Sequence, residues 1–92
     1  MEATQIQFIE QTFGLGSQEL AKSLGVAPIT VTRWEQGLNT PTGLQAEVLH
    51  GLHNVALSTS QSQDQQRAEF VKGLIVLGIG ALIFYLLSQT SH

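Results

Sequence analysis

SQELAKSLGVAPITVTRWEQG, residues 17–37, decides the fold of the first half of this chain. Leu20, Ala21 and Leu24 recur at helical spacing, and Gly25 follows where the chain must turn with positive φ, a conformation glycine adopts at least cost. Beyond the turn Val26 is placed to pack back. Pro28 suits a first helical position, because the N–H it lacks would have had no partner there. Val31 and Trp34, three apart, form the inward side of the second helix, while Ile29, Thr30, Thr32, Arg33 and Gln36 face mostly outward. Gly37 supplies the stop. The segment therefore reads as two short helices around a tight turn.

Working outward, Ile6, Ile9 and Phe13 predict a helix over residues 4–13, ended by Gly14 and Gly16, with Gly16 or Ser17 capping the next one. Downstream, Asn39, Thr40 and Pro41 make a loop. A further helix from Thr42 to Leu57 carries Leu44, Val48, Leu49, Leu52 and Val55 as its apolar stripe. The expected class is all-α: a small bundle of four to five helices in a domain spanning 1–57. STSQSQDQQ, from Ser58 to Gln66, lacks apolar anchors and reads as part of a polar linker over 58–69.

GLIVLGIGALIFYLL, residues 73–87, contains no charge. As one helix it rises about 22 Å, short of a bilayer core of roughly 30 Å. With Lys72 extending its ammonium toward headgroups, residues 70–88 reach about 28 Å. The expectation is a single transmembrane helix over 70–88, a tail at 89–92, and membrane lipid as a partner. Arg67 and Lys72 precede the run and SQTSH after it has no cation, so the N-terminal domain is expected on the cytoplasmic side. The competing expectation is a hydrophobic helix buried in an oligomer.

Charge and residue types bound the function. Four cations, Lys22, Arg33, Arg67 and Lys72, stand against seven anions, for a net charge of -3. Such acidity limits phosphate neutralisation by one copy of the chain. No cysteine is present, which removes disulfides and thiolate metal sites. His50, His53 and His92 are the only imidazoles; His50 and His53 are three apart on the last helix of the bundle and read as a solvated face. No nucleophile, metal or phosphate-loop spacing is present, so an enzyme is not expected, and neither is a cofactor.

A small residue where two helices cross, a glycine turn and apolar locks on the second helix are the requirements of a helix-turn-helix, and Ala21, Gly25, Val31 and Trp34 fill them. LAKSLGVAPITVTRWEQGLNTPTG resembles the Cro and phage-repressor-like (XRE) helix-turn-helix family, in particular its antitoxin-type members, over residues 6–57. The resemblance implies a helix inserted into the DNA major groove. By it, Ala27, Pro28, Ile29, Thr32 and Arg33 occupy the positions that meet base edges or nearby phosphates, with Gln36 on the same outward side. Arg33 would pair with guanine, and Ile29 or a threonine methyl would touch a thymine methyl. Ser17, Gln18, Lys22, Thr40 and Thr42 are the candidates for holding phosphates. Glu10 falls near where the family often carries an arginine that pairs with the glutamate of the Trp-Glu motif, which leaves Glu35 without its expected partner. Ala27 stands where the family favours serine.

The expected function is a membrane-anchored helix-turn-helix DNA-binding protein that regulates transcription, acting as a homodimer or beside a membrane-protein partner. The alternative is a degenerate helix-turn-helix serving as a protein-interaction adaptor at the membrane. A soluble antitoxin is the third reading that the family implies.

Overall fold

A computed structural model of the chain describes residues 1–62 and 65–90, with side chains as far as Ser88. Six helices follow one another: α1 (Ala3–Phe13), α2 (Ser17–Leu24), α3 (Pro28–Glu35), α4 (Gly43–Ser62), α5 (Gln65–Leu77) and α6 (Ile79–Thr90). The first four follow their local signals. Gln5 Oε1 accepts the Glu2 N–H at 2.8 Å and so satisfies an otherwise orphaned donor at the start of α1. Gly14 then closes the helix at φ 65°. Glu19 Oε1 does the same for the Gly16 N–H at 3.1 Å, and Gly25 ends α2 at φ 72° while the Val26 N–H reaches back to the Ala21 carbonyl. Pro28 opens α3, as its missing donor predicts.

α1 lies along α4, and α3 packs across α1 and α2. Ile6, Ile9, Leu20, Leu24, Leu49 and Leu52 are fully buried between them. Leu44 departs from the expected stripe of α4: it is 48% exposed, and Ala56 and Thr59 are buried further along. α4 also runs past Leu57 to Ser62, so most of the expected linker is helical. Arg67 donates to Ser58 Oγ at 3.0 Å across the α4–α5 junction. Asp64, within the expected linker, and His92, in the expected tail, lie outside the described residues.

The expected single transmembrane helix over 70–88 is overturned. Gly78, at φ 118°, breaks the apolar run into α5 and α6, helices of 13 and 12 residues. At about 1.5 Å per residue these rise roughly 20 and 18 Å. Among the described residues no helix is long and apolar enough to cross a membrane. The single-pass placement with a cytoplasmic head falls with it.

The two helices instead fold back on each other, with the rings of Phe70 and Tyr85 meeting edge to face at 5.8 Å. Their inner side joins the core of the head. Val71, Ile75 and Leu82 are fully buried in the same cluster as Ile9, Leu20 and Leu52. α6 approaches α4 through Gly51: a β-carbon there would lie 2.8 Å from Leu86 Cδ1, inside contact distance. Lys72 does not extend outward. Its Nζ lies 3.6 Å from where a β-carbon on Gly14 would sit, which puts an ammonium at the C-terminal end of α1, where the helix dipole favours a cation. The radius of gyration is 12.1 Å, matching the roughly 12 Å expected when a chain of this length packs entirely into one body.

Candidate nucleic-acid interface

The core holds α3 from within. Val31 is fully buried and Trp34 is 5% exposed, so these two side chains set the rotation of the helix and turn Ala27, Pro28, Ile29, Arg33 and Gln36 to the surface. Ile29 is 56% exposed, a large apolar side chain left uncovered at the first turn of α3. Gln18 and Lys22 are exposed on α2. The expected candidates on α2, the turn and α3 are thus exposed, with two exceptions.

Thr32 is half-buried, and its hydroxyl donates to the Pro28 carbonyl at 3.1 Å, within its own helix. Its methyl, rather than its hydroxyl, is what remains for a ligand. Ser17 is the second exception. Its Oγ lies 2.6 Å from Glu35 Oε2 and 2.9 Å from Oε1, so its one hydroxyl hydrogen goes to that carboxylate. A hydroxyl committed in this way ties the start of α2 to the end of α3 and is not available to a phosphate. Gln7 Nε2 donates to the Glu35 backbone carbonyl at 3.0 Å and adds α1 to the same junction.

Glu35 therefore has partners, though not the arginine that the resemblance led one to expect. The second is Glu10, a carboxyl only 9% exposed in the last turns of α1. Burial, a side-chain hydrogen bond with Glu35 and the nearby Glu35 charge, in that order, push the Glu10 carboxyl up to about 8. Near neutral pH Glu10 keeps its proton and donates it to Glu35. Two acidic side chains then sit together as an acid–carboxylate pair, where the family pattern would place an ion pair. A reading of the sequence that seeks an opposite charge for every carboxylate misses this arrangement; the signal that reveals it is the juxtaposition of Glu10 with apolar Ile6, Ile9 and Phe13 on a buried helix.

A second feature was not anticipated. An open groove of about 610 Å³ runs beside α3, between the turn and the α3–α4 loop, with Thr30, Trp34, Leu38, Asn39, Thr42 and Gln45 along it. Gln45 Nε2 reaches the Leu24 carbonyl at 3.4 Å and ties the wall of the groove to the end of α2. Thr40 and Thr42 are exposed on this loop, on the same side as the groove. Leu38 is 67% exposed at its rim. The sequence signal was the stop at Gly37 followed by Asn39-Thr40-Pro41, which marked a loop but not its concavity.

His50 is exposed on α4, and His53 packs its ring against Phe8 at 5.7 Å, so the two imidazoles do not converge. Among the described residues no group of three metal-ligating side chains exists. Comparison of the chain with protein-family models, with curated proteins and with solved structures finds no match in any of the three.

Proposed function

We propose that this chain is a helix-turn-helix DNA-binding protein that regulates transcription, with α3 entering the major groove. The observation that carries the reading is the outward set Ala27, Pro28, Ile29, Arg33 and Gln36 on a helix whose rotation is fixed by buried Val31 and Trp34. Arg33 is the base-reading candidate, since a guanidinium can bond bidentately to guanine, and Ile29 offers an apolar contact to a thymine methyl. Gln18 and Lys22 on α2, with Thr40 and Thr42 on the following loop, are the phosphate contacts that remain once Ser17 is engaged by Glu35.

With so few cations, affinity per copy is low and its salt dependence shallow. Each neutralised phosphate contributes about -0.9 to the slope of log K against log salt, so with Lys22 the one cation among these phosphate contacts a slope of only about -1 per copy is expected. The test is selection of duplexes from a random pool by the full chain at about 50 mM salt, a condition that favours phosphate contacts. An enriched sequence whose binding falls at least tenfold on Arg33→Ala supports the reading. No enrichment by the wild type, or enrichment indifferent to Arg33, refutes it.

The second reading, a protein-interaction adaptor, is favoured by one observation: Ile29 and Leu38 are large, apolar and exposed on a head that carries only two cations. A fold does not dictate its use. A nuclease-insensitive protein partner, lost on Ile29→Glu while Arg33→Ala is silent, would decide for the adaptor.

A further inference from the structure

The outward stripe of α3, continued into its C-cap, is Ile29, Thr32, Arg33 and Gln36, spaced i, i+3, i+4 and i+7 and set opposite the buried Val31 and Trp34. Little of it can hydrogen-bond. Ile29, 56% exposed, offers only carbon, as do the exposed side chains of Ala27 and Pro28 at the start of the helix. Thr32 has spent its one hydroxyl hydrogen on the Pro28 carbonyl at 3.1 Å, so it cannot donate to the O4 of a pyrimidine or the N7 of a purine. Its methyl is what it brings. Glu35, the one carboxylate of α3, is engaged by Ser17 and does not accept from the amino group of a cytosine. The donors left on the stripe are the Arg33 guanidinium and, two turns beyond Ile29, the Gln36 amide.

A surface of this composition distinguishes pyrimidines at C5. Thymine and uracil present the same O4 acceptor and differ only in the methyl, while 5-methylcytosine carries that methyl on a base with a donor in place of the acceptor. Ile29 and Arg33, four residues apart, are neighbours on the helix surface and about 6 Å apart along its axis. Bases on one strand follow each other every 3.4 Å or about that, so a methyl met by Ile29 lies within about two steps of a guanine held by Arg33. Thr32, next to Arg33, reaches the same neighbourhood.

We propose that α3 selects its target by C5-methyl groups: near the guanine held by Arg33 it prefers thymine or 5-methylcytosine to uracil or unmodified cytosine, so its affinity for a cytosine-guanine site rises on methylation. The inference rests on the DNA-binding reading and names what that interface selects. Each buried methyl contributes about fourfold in affinity, at the usual transfer free energy of one carbon group.

The duplex that the full chain enriches from a random pool is the probe. It is resynthesised with each thymine in turn replaced by uracil, and with each thymine-adenine pair replaced by a 5-methylcytosine-guanine or a cytosine-guanine pair, and each version is titrated by fluorescence anisotropy. Within two steps of the guanine whose contact Arg33→Ala abolishes, uracil should weaken binding about fourfold, and 5-methylcytosine should bind about fourfold tighter than cytosine. Ile29→Ala, at an exposed position, should erase the difference at one such base. Thr32→Ser, which removes the methyl and keeps the bond to the Pro28 carbonyl, should erase it at another. An enriched duplex with no thymine near that guanine overturns the proposal, as do methyl replacements that leave binding unchanged, or a methyl preference that survives both substitutions. Each of those results keeps Arg33-dependent binding and so leaves the DNA-binding reading intact. No enriched duplex at all overturns both.

Discussion

Replacing Glu10 by glutamine isolates the acid–carboxylate pair from every other contact. In the folded chain burial and Glu35 hold the Glu10 carboxyl at about 8, whereas in the unfolded chain it returns to its ordinary value of 4.5. Below about 4.5 both states carry the proton and this site costs nothing. As pH rises from there to about 8, only the folded state keeps the proton, so stability declines through that window; above it the decline stops, with the cost at its maximum. At about 1.4 kcal/mol per pH unit, the folded state gives up as much as about 3 kcal/mol by pH 7. Glutamine has nearly the same shape, donates an N–H to Glu35 and has no proton to lose. Glu35 from α3, Ser17 from α2, Gln7 on α1 and, at the end of α1, Lys72 from α5 are the charged and polar groups around this corner, and the substitution leaves all of them in place. Urea unfolding at pH 5 and pH 8, followed at Trp34, is the assay. The variant should match wild type within about 1 kcal/mol at pH 5 and exceed it by about 2–4 kcal/mol at pH 8. A wild-type-minus-variant difference that does not change with pH would refute the reasoning, because it would mean that Glu10 ionises in the fold as freely as out of it.

Three further outcomes follow from the packing of the C-terminal helices and from α3. Gly78→Ala puts a β-carbon on a residue at φ 118° and should cost about 1–3 kcal/mol, read as a lower thermal midpoint. Gly51→Val drives two methyls into Leu86, 2.8 Å from the added β-carbon, and should destabilise by about 1–3 kcal/mol; in a double-mutant cycle Leu86→Ala should recover part of that loss. Arg33→Ala, on an exposed side chain of α3, should change stability by less than about 0.5 kcal/mol while weakening DNA binding at least tenfold, a separation that thermal melts and gel shifts read directly.

Much of the head was legible because its signals are local. Gly14, Gly25, Gly37 and Pro28 act on the backbone at their own positions, and each ends or begins a helix where its chemistry requires. The apolar period of α1 to α3 likewise identifies Ile6, Ile9, Leu20, Val31 and Trp34 as core. The C-terminal run was misread because hydropathy measures how apolar a segment is, not whether it is straight. A charge-free stretch satisfies a bilayer and a protein core equally well until length decides, and here Gly78 halves the length. The corrective signal was present in Ala68, Val71 and Ile75, spaced as one face of a helix that begins inside the supposed linker. The site was half legible for a related reason. Exposure on α3 follows from its period, but the hydrogen bond from Ser17 to Glu35 joins residues on different helices, and the protonation of Glu10 beside Glu35 is set by burial, which no spacing rule encodes.

The apolar C-terminal segment is part of the core that supports α3. Leu82 on α6, fully buried, and Trp34 on α3, the one tryptophan, provide the direct measurement. Urea unfolding of the full chain with Leu82→Ala, monitored by Trp34 fluorescence, should show a single transition shifted to lower denaturant by a loss of about 2–5 kcal/mol, the cost of emptying a packed leucine site. A Trp34 transition that Leu82→Ala leaves unmoved would contradict the account, since α6 would then contribute nothing to the stability of the head.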